Sequence, residues 1–314
     1  MARAIVYTEL GSPDVLHLAE IPDPVAGENQ VVVRIEAAGV NPLDAKLRRG
    51  LRPGPPITEP RRVGFDGAGT ITSLGEGVTG FAVGDRVAIR TTLGTYATAL
   101  AVPVTHIARL TDGVTTAEGA GIGIPVGTAY QVLRSLGVRK GDTLLVHAGS
   151  GAVGQAIVQF ATLWGATVIA TASPARFEQL ESLGAIPVAY GPGLADRVRA
   201  VAPQGVTVAI DGAGTDEAIE TSLELVADHD RIATIVRGAD AAAFGIRAFS
   251  GGSPTPLTEE EEAWRAEALP LTINLIEAGD FQIELGPELP LADAARAQEL
   301  VEQHAARGKI VLLP

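Results

Sequence analysis

The chain has 314 residues, a net charge of −13 and 46% hydrophobic residues, enough for two ordinary domains with substantial cores. Its acidic balance argues against a general affinity for nucleic acid or an anionic membrane, and no apolar run is long enough to span a bilayer. There are no cysteines, which excludes disulfides, thiolate nucleophiles and cysteine-ligated zinc.

The histidines His17, His106, His147, His229 and His304 are scattered without metal-ligand spacing, so no metal is expected. Met1-Ala2-Arg3 leads into the short run Ala4 to Tyr7 with no signal-peptide pattern. A soluble, cytoplasmic protein is expected.

From residue 4 to about 101, short β-prone runs recur at 31–36, 69–74, 86–89 and 96–102. Turn signals such as Gly11-Ser12-Pro13-Asp14 and Gly84-Asp85 separate them, which points to a compact, barrel-like all-β unit. Within it, the Pro-rich segment from Arg48 to Arg62 carries Arg48, Arg49, Arg52, Arg61 and Arg62. This positive cluster reads either as a docking patch for an anionic substrate tail, such as a carboxylate or coenzyme A phosphates, or as a solvated loop.

From about residue 124 the rhythm changes to alternating strands and helices. The apolar run Leu144, Leu145, Val146 breaks into Gly149-Ser150-Gly151-Ala152-Val153-Gly154, and Val153, Ala156, Ile157, Phe160 and Trp164 follow at helical spacing. Strand, glycine turn and helix in this order can bind a dinucleotide. Gly149 permits the turn, Gly151 lets a pyrophosphate approach the main chain, and Gly154 lets helix and strand pack closely. Helix-terminal amides then face the phosphates. Further strands at 186–189, 206–210 and 232–236, with helices around 177–183 and 215–226, complete the pattern of a doubly wound parallel sheet.

A strand at 167–171 ends about 20 residues beyond the first glycines, where an NAD site would carry Asp or Glu for the ribose 2′-hydroxyl. Here the chain reads Thr171-Ala172-Ser173-Pro174-Ala175-Arg176. A serine hydroxyl and a guanidinium suit a 2′-phosphate that an acid would repel, so NADPH is expected rather than NADH. The other reading makes Ser173 a helix cap and Arg176 a solvated first-turn residue.

The alternation breaks at Ser250-Gly251-Gly252-Ser253-Pro254-Thr255-Pro256. A helix is expected to start at Thr258 with Glu261 completing a capping box, the run Glu259 to Glu262 suiting the helix dipole. A strand near 281–285, a helix over 292–306, a stop at Gly308 and a strand at 309–313 close the chain. That tail is expected to return to the first domain.

Together these motifs resemble the zinc-independent quinone oxidoreductase branch of the medium-chain dehydrogenase/reductases. The resemblance covers nearly the whole chain. It rests on Ala38-Gly39-Val40-Asn41-Pro42-Leu43-Asp44, Gly64-Phe65-Asp66-Gly67-Ala68-Gly69, Gly84-Asp85-Arg86-Val87, Gly127-Thr128-Ala129-Tyr130, the nucleotide loop, Leu183-Gly184-Ala185 and Gly308-Lys309-Ile310-Val311-Leu312. It implies a Rossmann NADP(H)-binding domain at 124–256, inserted in a GroES-like, mainly β catalytic domain formed by 1–123 and 257–314. It implies a homodimer. It places Asn41 and Thr128 at the nicotinamide, Ser173 and Arg176 at the 2′-phosphate, and Tyr190 beside the adenosine phosphate, although Tyr190 also reads as a strand-end aromatic packed on its sheet. In zinc-dependent relatives, ligands would stand near Asn41 and as a His-Glu pair near Phe65-Asp66. Ala45-Lys46-Leu47 and Pro60-Arg61-Arg62-Val63 depart from the branch's usual residues, which leaves substrate choice open.

The implied chemistry is hydride transfer from NADPH to a quinone or enone, an acceptor that delocalises charge onto oxygen without a metal Lewis acid. Lys46, Tyr96 and solvent are the candidate proton sources, whereas Asp44 and Asp66 read as loop braces. An NADPH-binding protein without turnover is the alternative, since fold does not dictate function.

Overall fold

The computed structural model describes residues 1–52, 56–249 and 255–314. The chain divides into two compact units, Met1–Ile124 with Ala266–Pro314, and Pro125–Arg265.

The first unit opens with β1 (Ala2–Tyr7), β2 (His17–Ile21), β3 (Gln30–Gly39), helix α1 (Pro42–Arg48) and β4 (Arg61–Arg62). It continues through β5 (Asp66–Leu74), β6 (Arg86–Ile89), β7 (Ala99–Pro103) and β8 (Ile107–Arg109) to the start of α2 (Thr116–Ser135). Strand β1 lies between β2 and β4 in a small antiparallel sheet. Strand β3 organises the larger one: β5 covers one edge along its length, while β7 takes Gln30–Arg34 on the other. Val31, Val33 and Ile35 turn to one face at the two-residue period and join Ile5, Ile71, Ile89 and Val102 in the core. The strand expected at 96–102 begins only at Ala99. Ala97 makes a single bridge to Ala4, and the ring of Tyr96 fills the core.

The second unit holds β9 (Thr143–His147), α3 (Ala152–Leu163), β10 (Thr167–Ala172), α4 (Phe177–Ser182), β11 (Ala185–Ala189), α5 (Leu194–Val201) and β12 (Val208–Asp211). It ends with α6 (Asp216–Leu225), β13 (Ile232–Thr234), α7 (Gly238–Phe244) and β14 (Arg247–Ala248). Its strands form a six-stranded sheet in the order β11-β10-β9-β12-β13-β14, every pair parallel. All of β9 is buried, which explains its unbroken apolar sequence. The order reverses beside β9, so the crevice that such sheets use for ligands opens at the carboxyl ends of β9 and β12.

Of the break at 250–256, residues 250–254 lie outside the described residues. Helix α8 (Glu259–Ala278) then starts as expected: Glu261 N–H donates to Thr258 Oγ1 (3.2 Å) and Thr258 N–H to Glu261 Oε2 (2.8 Å). The chain ends with β15 (Leu285–Pro290), α9 (Ala294–Glu302) and β16 (Lys309–Leu313). Strand β16 pairs antiparallel with the end of β3 and parallel with β15, which sews the C-terminus into the first unit. The strand expected at 281–285 falls later. Phe281 is buried without strand pairing, and β15 carries Pro287 and Pro290, tolerated because it is the sheet's terminal strand. The helix expected over 292–306 stops at Glu302, and His304 takes a left-handed φ of 51° before Gly308. No helix among the described residues is long and apolar enough to cross a membrane.

Within the segment from Arg48 to Arg62, read either as a docking patch or as a solvated loop, Arg48 belongs to neither. Arg48 is fully buried, donating from Nε to Gln298 Oε1 (2.7 Å), from Nη2 to Glu302 Oε2 (2.8 Å) and from Nη1 to the Gly11 carbonyl. Arg49 reaches the same Glu302 carboxylate at 3.4 Å. Arg61 and Arg62 belong to β4, and Arg62 donates to the Gly94 carbonyl (3.0 Å). Residues 53–55 of this segment lie outside the described residues. A guanidinium held by three acceptors pins α1 to α9, so Arg48 is a structural clamp. Replacing it with Met leaves the buried Gln298 Oε1 and the Gly11 carbonyl without their donor and Glu302 with Arg49 alone, and should cost about 3 kcal/mol in urea unfolding; Arg49→Met, at a half-exposed position, should cost less than about 1 kcal/mol.

Candidate functional site

In the second unit, the turn between β9 and α3 is shaped by what its glycines leave out. A Cβ on Gly149 would lie 2.6 Å from Ala170 Cβ, and one on Gly154 would overlap the Ala148 carbonyl and come within 2.7 Å of Gly149 Cα. Both positions are closed to any side chain. On Gly151 a Cβ would meet only the Ala148 oxygen, at 3.5 Å, so this glycine keeps an open face clear. The turn is held from β10: Gly149 N–H donates to the Thr171 carbonyl (2.9 Å) and Ala148 N–H to Thr171 Oγ1 (3.2 Å). Gly151 caps α3 without a side-chain hydrogen bond, leaving the helix-terminal N–H groups to a ligand. The cradle fits a pyrophosphate. Just before it, His147 is buried and donates from Nε2 to Ser222 Oγ (3.1 Å), whose proton goes to the Ala218 carbonyl. Burial pushes the imidazole down to about 4, so it stays neutral beneath the loop.

At the end of β10, Ser173 precedes a 3₁₀ turn, Pro174–Arg176, but its side chain makes no capping bond. Its hydroxyl is therefore not committed to the cap. Arg176, half-buried, closes that turn three residues after Ser173. Tyr190 stands past the end of β11 and is 61% exposed, away from the sheet packing that was its other reading. Thr128 is buried in α2, its Oγ1 accepting from Arg265 Nη2 at 3.4 Å, and the same guanidinium reaches Gln131 Oε1.

The first unit contains a dense buried polar cluster. Asn41, preceding α1, donates from Nδ2 to Asp66 Oδ2 (2.8 Å) and more weakly to the Gly39 carbonyl (3.4 Å). Its Oδ1 accepts from Lys309 Nζ at 2.6 Å. Lys309 also lies 3.6 Å from Asp66, which accepts from the Ile124 N–H (2.9 Å). On the other side, Asp44 Oδ2 accepts from the Asn41 N–H (2.9 Å) and the Tyr96 hydroxyl (2.8 Å). All five side chains are buried.

One ammonium thus faces two carboxyl groups. Burial pushes Asp44 up to about 7, against the pull of the Asn41 and Tyr96 hydrogen bonds, and its Oδ1 has no partner. Burial also raises Asp66, with Lys309 opposing, and lowers Lys309, with Asp66 opposing. Burial, and then the Asp44 charge, holds Tyr96 well above the usual phenol value. Tyr96 is thereby corrected from candidate proton donor to brace: its hydroxyl is sealed in the core and already donated. Lys46, half-buried on α1, is made more acidic by burial and by Arg52. Asp44 and Asp66 act as the expected braces. Lys309 was missed, because a lysine opening the strand Lys309–Leu313 reads as a solvated strand end, and only its proximity to Asn41, 268 residues away, reveals its partner.

At the positions where zinc-dependent relatives would carry their ligands, the side chains present are Asn41, Phe65 and Asp66. The chain has no thiolate to offer, and an ammonium occupies the space beside Asn41 and Asp66. Among the described residues no group of three or more His, Asp or Glu side chains could hold a metal ion.

Two family models match the chain: "Alcohol dehydrogenase GroES-like domain" over residues 27–122 and "Zinc-binding dehydrogenase" over 183–312. The quinone oxidoreductase of Pseudomonas aeruginosa is 31% identical, the match covering 100% of both chains. The chain belongs to the quinone oxidoreductase family of the medium-chain dehydrogenase/reductases. Solved structures of the family share its fold. That of Escherichia coli quinone oxidoreductase with NADPH is 25% identical with a TM-score of 0.84, over 99% of this chain and 100% of the other. A mycobacterial protein complexed with NADPH is 31% identical with a TM-score of 0.84 over 100% of both chains.

Asp44 makes the first unit sensitive to pH. Its carboxyl value is raised from 3.8 to about 7, so the folded state holds a proton that the unfolded chain releases above about pH 4. The stability it supports is full below that point, falls as pH rises toward 7, and is lost above. Asp44→Asn removes the titration but keeps an acceptor for Tyr96. Urea unfolding at pH 5 and pH 8 should show the variant gaining on the native protein by on the order of 3 kcal/mol at the higher pH.

Proposed function

We propose that the protein is an NADPH-dependent reductase that passes a hydride to a quinone or an activated alkene, works without zinc, and acts as a cytoplasmic homodimer. The observation that carries the reading is the cradle at residues 149–154, where Gly149 and Gly154 exclude side chains while Gly151 stays open above an uncapped helix. It is supported by family relatives with NADPH in their structures.

Bound NADPH supplies the hydride, and the chain's residues position it and control its surroundings. In this reading the main chain from Gly149 through Ser150, Gly151, Ala152 and Val153 to Gly154 receives the pyrophosphate. Ser173 and Arg176 receive the 2′-phosphate by charge-assisted hydrogen bonds, which an NADH ribose would not need. Tyr190 offers its exposed ring to the adenosine portion, and Asn41 and Thr128 are assigned to nicotinamide binding. Lys46, the candidate cation whose burial eases proton release, is assigned the product's proton, with solvent as its source of renewal. The acceptor class is supported by the quinone oxidoreductases among the chain's relatives; a quinone or enone spreads the incoming charge onto its own oxygen.

Fluorescence titration with NADPH and NADH should show NADPH binding at least tenfold tighter, about 1.4 kcal/mol, with most of that preference lost in Arg176→Ala. The same preparation should oxidise NADPH over many turnovers with quinones or enones. Equal affinity for both cofactors would assign Ser173 and Arg176 to structure alone, and binding without turnover would make this an NADPH-binding protein rather than a reductase.

A further inference from the structure

Lys309 belongs to no expected site, yet it is buried in the core of the first unit. A lysine buried in a core costs several kcal/mol unless it is paired, and this one is admitted by clearances in two elements, β3 and α2. A Cβ on Gly39 of β3 would lie 2.8 Å from Lys309 Cε. One on Gly121 of α2 would come within 3.6 Å of Lys309 Cγ and 2.7 Å of Ile283. One on Gly123 would overlap Asp66 Oδ1. Gly39 and Gly123 thus keep clear the space in which the ammonium, the carboxylate and the Asn41 amide meet, while Gly121 makes room for Ile283.

The meeting has a definite polarity. An ammonium can only donate and a carboxylate can only accept, whereas a carboxamide does one on each edge. With Lys309 Nζ 2.6 Å from Oδ1 and Asp66 Oδ2 2.8 Å from Nδ2, only one of the two amide orientations satisfies both neighbours. The flipped amide would set Nδ2 against an ammonium and Oδ1 against a carboxylate. The Asn41 main chain is held as well, through its N–H to Asp44.

We propose that Lys309 is a positioning residue for the reduction: together with Asp66 it locks the Asn41 carboxamide in one orientation, with Nδ2 turned to Asp66 and the Gly39 carbonyl and Oδ1 turned to Lys309. This rests on the assignment of Asn41 to nicotinamide binding. Lys309 touches neither cofactor nor substrate in this role and acts through Asn41 alone.

The lock can be read in the cofactor-free protein, because the chain has only three asparagines, Asn29, Asn41 and Asn274. Selective ¹⁵N-asparagine labelling gives three side-chain amide pairs, with Asn41 assigned by its disappearance in Asn41→Ala. A locked Asn41 should exchange its amide protons with solvent at least tenfold more slowly than exposed Asn29, and Lys309→Met should shift the pair and raise its exchange rate. Exchange as fast as that of Asn29 in the native protein would overturn the lock, whatever the variants do. In turnover, Asn41→Ala and Lys309→Met should each lower kcat about tenfold. NADPH affinity should stay within threefold, and the double variant should fall no more than about twofold below either single one. Multiplying losses in the double variant would mean that Lys309 acts independently of Asn41, which ends the inference but not the assignment of Asn41. An unchanged kcat in Asn41→Ala would end both.

Discussion

A lysine ammonium placed in an apolar core must be compensated on every side, and the first unit is arranged to do so. Lys309 stands at the start of β16, the strand that brings the C-terminus back to β3. Its partners come from the loop after β3 and from β5, and the residues that leave it room come from β3 and α2. None of these segments could shift by a residue without leaving a buried charge unpaired, at a penalty of several kcal/mol. Register, chain return and the orientation of Asn41 are thereby tied to one ion pair. The same cluster contains more carboxyl groups than cations, and protonation of Asp44 balances the excess.

The second unit solves a different problem, that of leaving polar groups unsatisfied where a ligand is to bind. Its parallel sheet buries β9 on both faces and carries the chain into a turn where side chains are sterically excluded. Thr171 fastens that turn from the neighbouring strand through both its carbonyl and its hydroxyl. Neutral His147 and Ser222 fill the floor below without adding charge. Rigidity is supplied by protein contacts, and the first turn of α3 is left to the phosphates.

The nucleotide loop was legible because its physics is local. Strand, glycine turn and helix follow each other within about two dozen residues, and every constraint on Gly149 or Gly154 comes from a neighbour in the same βαβ unit. The Thr258–Glu261 box was legible for the same reason. Misreadings arose where partners are far apart in sequence. Arg48 looked like part of a solvated cluster because Gln298 and Glu302, about 250 residues on, could not be paired with it in advance. Tyr96 looked available for acid chemistry until its hydroxyl was found on Asp44 in the core. The strand at the C-terminus was placed too early because Pro287 and Pro290 disfavour a strand anywhere except at a sheet's edge.

Composition, periodicity and the order of motifs determined by themselves that this chain carries a β-rich region, a doubly wound nucleotide-binding region and a family likeness strong enough to anticipate NADPH. Those properties follow from backbone propensity and short-range sterics, which a linear sequence records. Only the tertiary structure decided which charges are buried together, which arginine is a clamp, and that Lys309 meets Asn41. Electrostatic pairing in a core depends on distances between residues remote in sequence, and burial sets whether a carboxyl, a phenol or an ammonium keeps its ordinary acidity.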